Sequence, residues 1–178
     1  MGESEKHHAD FTNFKTSNEK REILQQVIDS YSALVDGQTN WVCNLSNASS
    51  LIWHAYHSIP TNINWAGFYV LDPKDQDQLI LGPFQGKVAC QLIKFGKGVC
   101  GTAASTKLTQ LVPDVEKFPG HIACDGGTQS EIVVPIIDKT GIVRGVLDID
   151  CLDLNGFDET DKEFLEKLAQ LIAETNDW

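Results

Sequence analysis

The residues between Glu131 and Asp150 constrain the fold most. Two apolar runs, EIVVPII (131–137) and IVRGVLDID (142–150), are separated only by DKTG. A crossover between parallel strands needs a dozen or more residues, so this short link makes the two runs an antiparallel hairpin. NWAGFYVL (64–71) and LILGPF (79–84) repeat the pattern, joined by the polar stretch DPKDQDQ,. LTQLVPDV (108–115) reads as a short strand broken by Pro113,.

The flanks have another period. Thr16 to Glu19 fits a capping box,. After it Ile23, Leu24, Val27, Ile28, Tyr31, Leu34 and Val35 share one helical face, which Gly37 ends,. A second helix is expected over 41–58, with Val42, Leu45, Ile52, Ala55 and Ile59 on its inner stripe and Pro60 as its stop,. GKGVCGTAAST (96–106) is a Gly-rich turn running into a short helix. Phe164, Leu165, Leu168, Leu171 and Ile172 mark a last helix from the N-cap Asp158 to about Thr175,. Amphipathic helices need a sheet face to cover, so the chain is an α+β protein. One domain is expected over 16–178, preceded by a flexible arm at 1–15.

With 178 residues, 42% of them hydrophobic, the chain has enough apolar material for one core,. Its net charge of −11 repels phosphate backbones and anionic bilayers,. Neither nucleic acid nor membrane is therefore an expected partner. No apolar run approaches the roughly 18 residues of a membrane helix. The first residues, MGESEKHHADFTNF, lack the apolar core of a signal peptide,. These features point to the cytoplasm.

In a reducing compartment the five cysteines are core fillers or chemistry, and none forms a Cys-x-x-Cys pair,. Cys43, beside a helical stripe, and Cys151, at the end of an apolar strand, read as packing. Cys90, Cys100 and Cys124 lie in Gly-punctuated surroundings that look less like core. His121 and Cys124 could chelate with Cys90 and Cys100, but structural zinc wants tight Cys-x₂₋₄-Cys pairs. No metal and no cofactor is expected. Walker, Gly-x-Gly-x-x-Gly and Gly-x-Ser-x-Gly motifs are absent from the sequence,.

Asp148 and Asp150 alternate along one strand, so they share a face opposite Leu147 and Ile149. Glu131 opens the partner strand of the hairpin. If that face lines a pocket, crowding raises at least one carboxyl pKa, leaving a proton donor and anions for an ammonium group. Trp65 and Tyr69, with Gly67 between them, could form an apolar wall for a small cation or a methyl–sulfur group.

The motifs NWAGFY, GPFQGKVAC, FGKGVCGTAA, VPDVEKFPGHIACD, SEIVVPI and GVLDIDC stand in this order. Together they resemble the free methionine-(R)-sulfoxide reductases, a family of GAF-type domains, over roughly residues 20–172. The resemblance implies a six-stranded antiparallel sheet flanked by helices, and a homodimer. It implies Cys124 as nucleophile, a Cys90–Cys124 disulfide with Cys90 as resolving cysteine, and thioredoxin as reductant. Cys100 matches a third family cysteine, open between a structural role and that of alternative resolving thiol. Glu131, Asp148 and Asp150 match the acids that bind free methionine (R)-sulfoxide; Trp65 and Tyr69 match the aromatic wall. Cys151 departs from the serine often found there and stands next to Asp150 in the chain. A GAF sensor module binding a small ligand, or a redox-signalling thiol protein, are the alternative readings.

Overall fold

The computed structural model describes residues 7–14, 19–122 and 124–178. Its centre is a six-stranded sheet of β1 (Ile63–Asp72), β2 (Asp75–Gly86), β3 (Leu92–Lys94), β4 (Gln110–Val112), β5 (Ser130–Ile137) and β6 (Val143–Cys151). The order is β3-β2-β1-β6-β5-β4, and every neighbouring pair is antiparallel. The β5–β6 link is the expected tight turn: the Asp138 carboxylate accepts from the Thr140 and Ile142 amides, and Gly141 takes φ +83°,. Both edge strands are three residues long, which leaves little open ladder for another chain to pair with,.

Helices α1 (Lys20–Leu34), α2 (Trp41–His57) and α4 (Glu159–Thr175) share the core cluster on one sheet face. They meet Ala66, Phe68 and Val70 of β1, Ile132, Val134 and Ile136 of β5, and Leu147, Ile149 and Cys151 of β6. The opposite face carries a smaller cluster under α3 (Gly98–Thr106), formed with Trp65, Tyr69, Val133 and Val146. Alternation along Trp65–Val70, Glu131–Ile136 and Val146–Cys151 thus sends odd and even residues to two different environments,. Within the stretch expected to be an arm, His8–Thr12 form a 3₁₀ turn, and Phe11 and Phe14 lie against the main core.

Five sequence readings need correction. Val42 is 48% exposed, and Cys43 is exposed rather than packed. At about 100° per residue, Cys43 falls nearly opposite the stripe of Leu45, Ala48, Ile52 and Ala55,. DPKDQDQ is mostly strand: only the turn after Asp72 interrupts pairing, because the backbone of Asp75–Gln78 holds the ladder while its side chains meet solvent. Residues 92–94 form a strand the sequence reading left out, held as an edge by Leu79 opposite Ile93. Cys100 is buried on α3 at 5% exposure, not in open loop. The small residues around it let α3 lie close; a Cβ on Gly101 would stand 2.3 Å from the Lys94 carbonyl oxygen. The capping box at Thr16 lies outside the described residues, whereas Asp158 caps α4 by accepting from the Thr160 and Asp161 amides.

One buried acid ties three helices together. Asp161 is fully buried, 2.7 Å from Lys20 Nζ of α1, and accepts the Tyr56 hydroxyl of α2 at 2.7 Å. It also accepts the Asp158 amide at 2.7 Å. Asp161→Ala leaves the buried Tyr56 hydroxyl and the Asp158 amide without their acceptor and Lys20 with Asp158 as its remaining anion. The expected cost is about 3–5 kcal/mol, read as a lower urea midpoint; an unchanged midpoint overturns this account.

Candidate functional site

The sheet face under α3 carries the candidate site. Its floor follows from register. Glu131 of β5 stands directly opposite Asp150 of β6, and Asp148 lies between Val133 of β5 and Gly67 of β1. The three carboxylates therefore rise from neighbouring positions on one face. Leu147, Ile149 and Cys151 point the other way, so Cys151 turns its thiol to the helices although it follows Asp150 in the chain.

Gly67 is the β1 residue opposite Asp148. A Cβ there would stand 2.3 Å from Phe84 Cβ and 2.6 Å from Phe84 Cα, which backbone pairing does not allow. The wall is aromatic: Trp65 stacks on Phe84 and on Tyr69, with centroids 5.2 and 5.7 Å apart. The roof is Cys100 on α3, the segment carrying Cys90, and the loop carrying Cys124. Trp65, Tyr69, Cys90, Cys100, Cys124, Glu131, Asp148 and Asp150 all line one cavity of about 690 Å³, its open mouth included. The eight residues singled out from sequence are thus brought together.

Cys90 and Cys124 form a disulfide, while Cys100 stays a free thiol. That bond removes two thiols from the chelating set considered above. Consecutive residues of β1 anchor both halves. Asn64 Nδ2 donates to Asp125 Oδ2 at 3.3 Å and to Thr128 Oγ1 at 3.0 Å, holding the Cys124 loop. Trp65 Nε1 donates to the Lys87 carbonyl at 3.1 Å, holding the Cys90 segment. Lys87 and Asp125 approach to 3.7 Å across the two. Sequence reasoning missed Asn64, Lys87 and Phe84. The motifs NWAGFY and GPFQGKVAC contained them, but a bare asparagine or lysine gives no signal until folding supplies its partner.

Among the described residues no lysine or arginine pairs with the three acids, although Lys87 and Lys97 line the cavity. Burial, reinforced by Asp148 and Asp150, pushes the Glu131 carboxyl well up. Burial and the nearby Asp148 do the same to Asp150. Burial raises Asp148 to about 7, held back by the Cys100 thiol, which donates to its Oδ2 at 3.3 Å, and by Glu131. Burial beside these acids also pushes the Cys100 thiol up, which keeps it protonated. His121 Nε2 lies 3.9 Å from Glu131 Oε2, and burial lowers its pKa, so it is neutral at pH 7. The floor can hold a proton ready for an acceptor, or release it when a cation arrives.

This arrangement makes stability depend on pH. A carboxylic acid with a raised folded-state pKa binds more protons folded than unfolded, so its contribution falls as pH rises. For Asp148 the window runs from the unfolded value of about 4 to its folded value of about 7. Ligand-free Asp148→Asn protein is expected to gain on wild type in urea midpoint as pH rises through that window. A difference that stays constant overturns the shift.

Comparison with known proteins agrees with this geometry. The family model described as "GAF domain" matches residues 48–175. The chain is 70% identical to the Saccharomyces cerevisiae free methionine-R-sulfoxide reductase, covering 93% of this chain and 92% of that one. It is 43% identical to the Escherichia coli protein of the same name, covering 89% and 93%. The free methionine-R-sulfoxide reductase of Neisseria meningitidis, solved in complex with its substrate, superposes with a TM-score of 0.82 at 39% identity, covering 89% and 91%. The chain belongs to the GAF domain family and, within it, to the free methionine-R-sulfoxide reductases.

Proposed function

We propose that this protein reduces free L-methionine (R)-S-oxide to methionine, with Cys124 as nucleophile and Cys90 as resolving thiol. The observation that carries the reading is the Cys90–Cys124 disulfide on the wall of a cavity floored by Glu131, Asp148 and Asp150. Dithiol chemistry and a store of protons meet in one place, and sulfoxide reduction needs both.

Sulfoxide sulfur is a poor electrophile until its oxygen is protonated. The acid cluster holds a proton near neutral pH for that oxygen,. The Cys124 thiolate attacks the protonated sulfoxide at sulfur to give an S–S adduct; the oxygen then passes to the Cys124 sulfur as the adduct's S–S and S–O bonds break, so methionine leaves as the thioether and Cys124 is left as sulfenic acid. Cys90 then attacks the Cys124 sulfur, water leaves, and the disulfide closes. The balance is one sulfoxide and two thiols to one thioether, one disulfide and one water. Cys124 is exposed, which suits attack by an outside dithiol,. Thioredoxin is the proposed reductant, the cytoplasm the proposed setting and a homodimer the proposed assembly.

The remaining carboxylates suit the ammonium of a free amino acid, which a methionine inside a polypeptide lacks. The backbone amides of the Gly-rich loop suit its carboxylate, and the Trp65–Tyr69 wall suits its methyl–sulfur end. Cys100, buried and protonated, serves as a donor to Asp148 and as an alternative resolving thiol.

The test uses racemic free methionine sulfoxide, excess dithiol and chiral chromatography. The R epimer alone is expected to disappear, and Cys124→Ser to slow this at least about a thousandfold. Loss of neither epimer, from folded reduced protein, sinks the reductase reading. Ligand affinity retained without turnover then favours a sensor. Turnover that survives Cys124→Ser and is lost in Cys100→Ser moves the nucleophile to α3.

A further inference from the structure

Three atoms of metal-ligand type meet on the cavity floor: the Cys100 sulfur and one carboxylate oxygen each from Glu131 and Asp148, all within 4.8 Å of one another. The residues are 5%, 6% and 5% exposed, so the atoms are shielded from bulk water. Cys100 Sγ lies 3.3 Å from Asp148 Oδ2. Sulfur and oxygen bound to the same tetrahedral Zn²⁺, at about 2.3 and 2.0 Å, stand about 3.5 Å apart. That edge of the coordination polyhedron is already in place. Independently, Asp148 Oδ1 is buried and, apart from a proton shared with the Glu131 carboxyl, has no partner among the described residues. A buried carboxylate oxygen left alone is costly and calls for a donor or a cation.

We propose that Cys100, Glu131 and Asp148 form a site for a thiophilic divalent cation, of the Zn²⁺ or Cd²⁺ class, which enters the cavity in place of the substrate ammonium and blocks it. Three protein ligands leave the fourth position open towards the cavity, for water. Mg²⁺ and Ca²⁺ do not fit, since they prefer six or more oxygens and gain nothing from sulfur. No electrons move: the thiol and acid protons leave to solvent as the cation binds, so uptake releases protons. Cys90 and Cys124 are bonded to each other and take no part, so the site exists in the oxidised protein. The blocking, though not the site, rests on the reductase reading.

The test uses oxidised protein carrying Cys43→Ala, which removes the exposed thiol. Cys151 is fully buried on the opposite sheet face, so Cys100 is the thiol left to report. Cd²⁺ is the probe, followed by its ultraviolet sulfur-to-metal charge-transfer absorption. The band is expected to saturate at about one equivalent, with proton release in weak buffer. It is expected to vanish when Cys100→Ser is added and to need at least about tenfold more Cd²⁺ when Asp148→Asn is added instead. Circular dichroism checks that both variants are folded. A band absent from the Cys43→Ala protein, or one that survives Cys100→Ser, overturns the site. Unchanged affinity in Asp148→Asn removes that ligand. Free methionine (R)-sulfoxide is expected to shift the Cd²⁺ titration to higher concentration. Cd²⁺ binding without that shift overturns the blocking and points to the substrate reading, with the metal site intact.

Discussion

Three carboxylates share one sheet face, Glu131 and Asp148 buried and Asp150 half-buried, and much of the structure follows from keeping them there. In water two neighbouring acids simply ionise. Under α3, burial makes each negative charge expensive; Asp148 adds to the cost at Glu131 and Asp150, while Glu131 and Cys100 ease it at Asp148,. The floor is stable only with protons on it or with a cation above it. Both conditions describe chemistry. A retained proton serves an acceptor such as a sulfoxide oxygen, and an incoming ammonium replaces it. Cys100 belongs to the same balance, because its thiol donates to Asp148 and offsets part of the cost.

The rest of the fold meets this demand by separating faces. Along β6, Leu147, Ile149 and Cys151 pack under the helices while Asp148 and Asp150 face the cavity. The apolar side fixes the register, since a slip of one residue would send the acids into the main core. On the helical side a similar problem has another solution: Asp161 is buried more deeply than the cavity acids, but Lys20 and Tyr56 complete it. One buried acid is satisfied and structural; the three others are left without a lysine or arginine among the described residues and are available to a ligand.

What the sequence revealed follows from which signals are local. The DKTG turn, the alternation in VLDID and the Pro60 stop act over a few residues, so the hairpin, the shared face of Asp148 and Asp150 and the end of α2 were legible. The six motifs made the cavity legible as a set. The exposed flank of α2 was not, because Cys43 sits beside apolar residues in the chain and only the helical rotation separates it from them. Strand β3 was invisible because three residues carry no period; it exists because Leu79 and Ile93 meet across the edge. The anchoring of both half-cystines by Asn64 and Trp65 depends on partners about 20 to 60 positions away and has no local signature.

Gly67 also says which parts of the cavity are open to redesign. Its missing Cβ is required by the backbone of the adjacent strand, not by a side chain that could be trimmed elsewhere. The close approach of β1 and β2 beside Asp148 is therefore set by the β-ladder and holds for any sequence that keeps this register. Selection or engineering that widens the range of accepted sulfoxides must work from the cavity's wall and roof, through Trp65 and the two loops that carry the disulfide.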